Sequence, residues 1–240
     1  MKLLKTYLTA VILLLAAVVG EARNPNEYVF NIGQFNKIEI DDNVNVIYRC
    51  VPDSTGYAAF SGEQEFADAF ILTNNNGSLH VQVNTEDVGR PNLPTLHLYS
   101  DFLTTATNSS ISTLRIESPA PVSSFTARQV GNGKIIAENI RATNVNGIIA
   151  TGNGKVNISG LCDRAEFKMV GTGKIMADRL HAEDVKCIIV GGGEIGCWPI
   201  HCLQVKGIGS TKIFYKGDPV IKKKGGGKLF ALPDSGTFAK

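Results

Sequence analysis

A Gly-x-Gly turn, or its equivalent, followed by a charged residue returns six times in the second half of this chain, and no other feature narrows the possible folds so far. The residues after the turn are Lys134, Lys155, Lys174, Glu194, Lys212 and Lys228, at separations of 21, 19, 20, 18 and 16. Five of the turns use Gly131 and Gly133, Gly152 and Gly154, Gly171 and Gly173, Gly191 and Gly193, and Gly225 and Gly227. Between Gly131 and Gly227 lie 18 of the chain's 25 glycines, so the glycine belongs to the repeat and the chain has two differently built halves.

Within one repeat, KIIAENIRATNVNGIIATG, apolar residues fall at Ile135, Ala137, Ile140, Ala142, Val145 and Ile149. This alternation, broken at short polar steps, predicts strand, turn, strand, turn, strand. The next repeats place Val156, Ile158, Leu161, Ala165, Phe167 and Met169, then Ile175, Ala177, Leu180, Ala182, Val185, Cys187 and Ile189, at nearly matching offsets. Six apolar side chains do not offset the ordering of about 20 residues, so one repeat cannot fold alone. Stacking removes the difficulty, because each coil covers the open face of the one before it. The expectation is an all-β parallel β-solenoid of about 20 residues per coil. The repeat fits neither a six-residue acyltransferase unit nor a leucine-rich repeat, whose leucine and asparagine signature is missing.

Residues 1–22 have the basic start, short apolar run and small-residue end of a secretory signal, which places the mature start near Arg23. No later segment is long and apolar enough to span a membrane. Residues 23–125 read as an irregular β region, early coils or a cap, with strand-like runs such as FNKIEI, VNVIYRCV and SLHVQV. In GEQEFADAFIL, the spacing of Phe66 and Phe70 predicts one short helix. Residues 126–240 read as regular coils with a C-terminal cap of lysines, Pro233 and a polar tail. Removing the signal takes the formal charge from +2 to about +1, which argues against a nucleic-acid partner. Cys50, Cys162, Cys187, Cys197 and Cys202 are an odd number for an exported chain and lack zinc-site spacing. Their pairing is open.

Glycine-rich turns can cradle phosphate, but that chemistry needs a loop opening a helix, and every copy here runs into a strand. Calcium-binding β-roll turns carry aspartate where these carry lysine. A third role is a basic ridge at Lys134, Lys155 and Lys174 offered to an acidic glycan, against the plainer reading of a solvated edge with Glu138 and Asp178 on the same strand face. The glycines themselves are explained by shape: the coil reverses in two or three residues, and a column of turns packs closely only without side chains.

Catalytic constellations are absent from the pattern. Asp41 with Asp42, Asp163 with Glu166, and Glu183 with Asp184 do not recur in register as a groove, and His80, His97, His181 and His201 are scattered. His201 and Cys202 are neighbours in a strand, so they point to opposite faces. No catalytic residue, cofactor or metal is assigned.

The runs FNKIEIDDNVNVIYRC and ADAFILTNNNGSLHVQV, with VGNGKI, TGNGKV, VGTGKI and GGGKL, resemble the head GIN domain family, whose members are also described as auto-transporter adhesins. The resemblance implies a right-handed parallel β-helix of pectin-lyase-like shape without the lyase catalytic residues, in exported proteins of Bacteroides-like bacteria. It supplies no site residues, and the Trp198–Pro199 insertion varies its repeat. The expected function is non-enzymatic adhesion to a glycan or a cell-surface protein, from the periplasm, the outer surface or a secreted state. A pectate-lyase-like enzyme, or an envelope component that contacts its own copy as a homo-oligomer, is the alternative.

Overall fold

The structure, a computed structural model, describes residues 26–235; the signal-like segment and residues 236–240 lie outside it. In chain order the strands are β1 (Glu27–Asn31), β2 (Lys37–Ile40), β3 (Val46–Cys50), β4 (Tyr57–Ser61), β5 (Phe70–Asn75), β6 (Ser78–Val83), β7 (Leu96–Ser100), β8 (Thr105–Asn108) and β9 (Thr113–Glu117). The longer ones follow: β10 (Val122–Val130), β11 (Lys134–Thr151), β12 (Lys155–Met169), β13 (Lys174–Ile189) and β14 (Glu194–Gly207), then the short β15 (Lys212–Tyr215), β16 (Val220–Gly225) and β17 (Lys228–Ala231). They form one continuous sheet curled into a β-solenoid of about 6 turns, about 20 residues apart.

Each regular coil is one long bent strand rather than three separate ones. Its first segment builds face A and its last segment builds face B. On face A, β9, the start of β11, and then β12, β13, β14, β15 and β17 pair in parallel. On face B, β8, β10, the ends of β11, β12, β13 and β14, and β16 do the same. Inward residues alternate with outward ones, and Ile135, Val156, Ile175, Ile195 and Ile213 form one wholly buried column.

The corner between the faces varies in length, and this corrects two expectations. Two residues separate Ala137 from Ile140 and Ala177 from Leu180, but only Ser159 stands between Ile158 and Gly160. Gly160 therefore takes the inward place between Ile140 and Leu180, and Leu161 faces solvent at 55% exposure. Gly160 has φ +135°, and a Cβ there would lie 2.0 Å from the Ile140 carbonyl oxygen, so the missing residue is absorbed by glycine. At Trp198 the corner is shortened, not extended: Cys197 and Trp198 are adjacent, yet their partners Ala177 and His181 are four positions apart.

The first coils follow another order. Strand β2 sits between β6 and β8, and β3 sits between β7 and β9, all parallel. Beyond them the end is closed by antiparallel strands, β5 on β6 and β4 on β7, with β1 on β4. The expected helix at Phe66 and Phe70 is not formed. Gln64–Phe66 makes a single 3-10 turn and Phe70 opens β5, where its ring meets Phe60 edge-on at 5.1 Å. The core rewards Phe70 for burial in a strand more than local spacing rewards a helix.

Candidate binding surface

The glycine turns stack directly on one another, and their backbone groups are spent in doing so. The N–H groups of Lys155, Lys174, Glu194 and Lys212 donate to the carbonyls of Gly133, Gly154, Gly173 and Gly193 at 2.9–3.0 Å. The Thr172 N–H likewise donates to the Gly152 carbonyl at 2.9 Å. These amides face the preceding coil, which is no geometry for holding phosphate. Close approach is the reason for glycine at most of these positions: a Cβ on Gly171, Gly173, Gly191 or Gly193 would lie 2.1–2.3 Å from a glycine carbonyl one coil back.

After each turn, the face A register places Lys134, Lys155, Lys174, Glu194, Lys212 and Lys228 in one outward column. Lys174 Nζ meets Glu194 Oε2 at 2.8 Å, and Lys212 reaches the other oxygen at 3.7 Å. Lys134 and Lys155 have no acidic partner among the described residues. Of the two acids read on the same strand face, Glu138 meets Arg115 at 3.5 Å rather than a ridge lysine, and Asp178 is 4% exposed with its carboxylate 3.8 Å from Lys216 Nζ. Lys216 Nζ also lies 4.6 Å from the Trp198 ring centroid, and Trp198 packs on His181 at 4.0 Å.

The hydrogen bond from Lys174 holds the Glu194 carboxyl below its ordinary value, with the charges of Lys174 and Lys212 adding to it against partial burial. A lowered folded pKa means stability that is full above the unfolded value and fades as pH falls through the folded one. Glu194→Gln is therefore expected to flatten the acid side of the stability profile below the ordinary glutamate range and to change little at pH 7 beyond a loss of about 0.5 kcal/mol. Melting curves of both proteins from pH 3 to pH 7 check this.

Face B carries a different pattern. Its outermost column reads Arg128, Ile148, Lys168, Ile188, Lys206 and Lys224. The neighbouring column reads Thr126, Asn146, Glu166, Lys186, Gln204 and Lys222, and the third contains Asn144, Arg164, Asp184 and Cys202. Lys186 is bound to Glu166 at 2.7 Å, whereas Arg128, Lys168, Lys206, Lys222 and Lys224 have no acidic partner among the described residues. A shallow trough of about 430 Å³ runs between the second and third columns. None of these cations recurs on every coil, so the twenty-residue repeat does not expose them as a set.

The corner bears a second groove, of about 620 Å³, lined by Arg141, Leu161, Asp163, His181, Glu183 and Ile200 among others. The Glu183 carboxylate lies 3.1 Å from His201 Nδ1, and Asp184 stands apart on face B. Asp42 accepts from the Val83 N–H at 2.9 Å, Asp41 lies 3.6 Å from His80, and His97 is 3.1 Å from Arg49. The acids and histidines named from the sequence are thus dispersed over both faces, the corner and the first coils. No group of three or more His, Cys, Asp or Glu that could hold a metal occurs among the described residues. No helix among them is long and apolar enough to cross a membrane.

All five cysteines are free thiols; Cys162, Cys187 and Cys197 are buried, and Cys50 and Cys202 are half-buried. Burial, with the Asp163 charge, pushes the Cys162 thiol up to about 12. Cys197 is raised well above its ordinary value, first by its hydrogen bond with Cys187 and then by complete burial. An aromatic disulfide reagent at pH 8 is expected to titrate two thiols quickly in the native chain and five after denaturation. Fast reaction of a third native thiol would contradict this core.

The family described as "Putative auto-transporter adhesin, head GIN domain" matches residues 34–219. Among solved structures, a "putative adhesin" from Bacteroides fragilis superposes with a TM-score of 0.74 at 19% identity, over 86% of this chain and 96% of that one. A "putative lipid binding protein" from Parabacteroides distasonis gives 0.68 at 21% identity, over 88% and 98%. A "putative adhesin" from Parabacteroides merdae gives 0.63 at 18%, over 86% and 95%. Identities this low establish a shared fold. No curated protein matches the chain significantly. Because the family match spans most of the sequence and the solenoid carries its glycine turns, this chain belongs to the head GIN domain family.

Proposed function

We propose that this protein is an exported, non-enzymatic binding protein that holds a glycan or another cell-surface protein against the outside of its solenoid, in an adhesive role. The observation that carries the reading is the outward register: charged and polar side chains line up coil after coil along faces A and B, interrupted on face B by Ile148 and Ile188, while the interior is filled with apolar side chains. Rigid repeated surfaces of this kind bind by extended contact. The family description and the adhesin neighbours support the same role.

A glycan array and a whole-cell binding assay on the mature chain test it, beside a variant with Lys134, Lys155 and Lys174 changed to alanine. Binding lost in that variant assigns the ridge as the contact. No binding to any glycan or cell overturns the adhesive reading, and turnover of an acidic polysaccharide moves the protein to the enzyme class. A second reading, an envelope component assembled from its own copies, is favoured by the last coil, where Val220 is 64% and Phe230 is 40% exposed. Light scattering decides it, since a strict monomer at high concentration removes it.

A further inference from the structure

We propose that face B, rather than the lysine ridge, is the main ligand surface, and that it takes an extended acidic polysaccharide lying along the stack. This rests on the adhesive reading and names its ligand class. The first argument is charge. Face B from β10 to β16 presents seven outward cations against Glu166 and Asp184, a surplus of five, whereas the whole 240-residue chain carries a formal +2. The ridge on face A has lost Lys174 to Glu194, while the outermost face B column loses none of its cations to an acid among the described residues.

The second argument is spacing. Arg128, Lys168 and Lys206 stand on alternate coils, with Ile148 and Ile188 between them. Neighbouring coils are about 4.8 Å apart, so these cations repeat at about 9.6 Å. A saccharide unit in an extended chain advances by about one coil, so alternate acidic sugars in a polysaccharide meet successive cations. The isoleucines between them offer apolar contact to the sugar faces.

The third argument is the trough between the second and third columns. Asn144, Asn146 and Gln204 supply amides, and Asp184 and Glu166 supply carboxylate oxygens, the groups that accept from and donate to sugar hydroxyls. A phosphodiester backbone presents acceptors only and would leave those carboxylates unpaired, whereas sugar hydroxyls donate to them. A bilayer is also a poorer fit, because membrane-surface proteins set aromatic rings at the interface, and these three columns contain none between β10 and β16.

The test uses polygalacturonate and its size-defined oligomers, with dextran as a neutral control, double-stranded DNA, and vesicles rich in anionic lipid. Two variants are compared with the wild-type mature chain: Arg128→Gln/Lys168→Gln/Lys206→Gln on face B, and Lys134→Gln/Lys155→Gln on the ridge. Both sets are exposed or half-buried surface residues, and unchanged circular dichroism confirms folding. The face B variant is expected to weaken polygalacturonate binding about tenfold or more and to reduce its salt dependence, and the ridge variant to change it less than about twofold. Affinity should rise with oligomer length until the chain spans Arg128 to Lys224, five coil steps or about 24 Å.

Loss in the ridge variant instead, an affinity independent of oligomer length, or equal or tighter binding to DNA or vesicles would each overturn the proposal. Binding to cells or neutral glycans without polygalacturonate binding would overturn it too and leave the adhesive reading standing. Cleavage of bound polygalacturonate would do the reverse, removing the non-enzymatic reading while keeping the surface.

Discussion

Replacing Gly173 by alanine is expected to destabilise the chain by about 3 kcal/mol or more, measured as a shift in the urea midpoint. The added Cβ would lie 2.1 Å from the Gly154 carbonyl oxygen, and that oxygen already accepts the Lys174 N–H at 3.0 Å. The alanine has nowhere to turn, because its obstacle is backbone. Relief requires the two coils to part, which strains the Lys174 hydrogen bond and lifts Ile175 from Val156 in the buried column. The same change at Gly192 provides the control. There the nearest atom is the Ser210 hydroxyl at 3.1 Å, a side chain that rotates away, so the loss should stay below about 1 kcal/mol. Equal effects at both sites would mean that the turn column is not closely stacked.

Asp178→Ala should cost about 3–5 kcal/mol, because it leaves the Lys216 ammonium, with a side chain only 5% exposed, without that carboxylate. The double change Asp178→Ala/Lys216→Met should recover most of the loss, since no charge then stays buried. Chemical denaturation of the wild type, the single variant and the double variant makes the comparison. A single variant as stable as wild type would show that the Trp198 ring alone satisfies the lysine.

The solenoid was legible from the chain because its turn column has a steric requirement that only glycine meets, and such a requirement leaves a countable mark. The lysine column was legible for the same reason, since it starts one residue after the turn. Leu161 was misplaced because counting forward from Lys155 assumes a constant corner, and that coil is one residue short at Ser159. Trp198 misled in the opposite direction, because a bulky residue suggests added chain where the corner had contracted. Phe66 and Phe70 satisfied a helical spacing, but tertiary burial of Phe70 decided the matter. Face B escaped notice because Arg128, Lys168 and Lys206 occupy alternate coils, so the pattern appears only when register superposes them. Asp178 and Lys216 each stand four residues after the turn residues Lys174 and Lys212, so the repeat places them in one column, but two coils apart, and that distance hid their contact.

The threading of β2 between β6 and β8 bears on how this protein reaches its native state. Order along the chain is not order along the stack at that end, so β2 gains both edges only after residue 108 has been made, and β3 only after residue 117. The coils from β11 to β14 find each neighbour about 20 residues away and close with short loops, the fast regime of low contact order. Topology alone therefore predicts that assembly starts in the later coils and spreads backwards, with the first strands keeping bare hydrogen-bonding edges until β8 and β9 arrive. Unpaired edges of this kind are where a chain is open to aggregation, so residues 37–50 are the segment whose exposure during folding matters most.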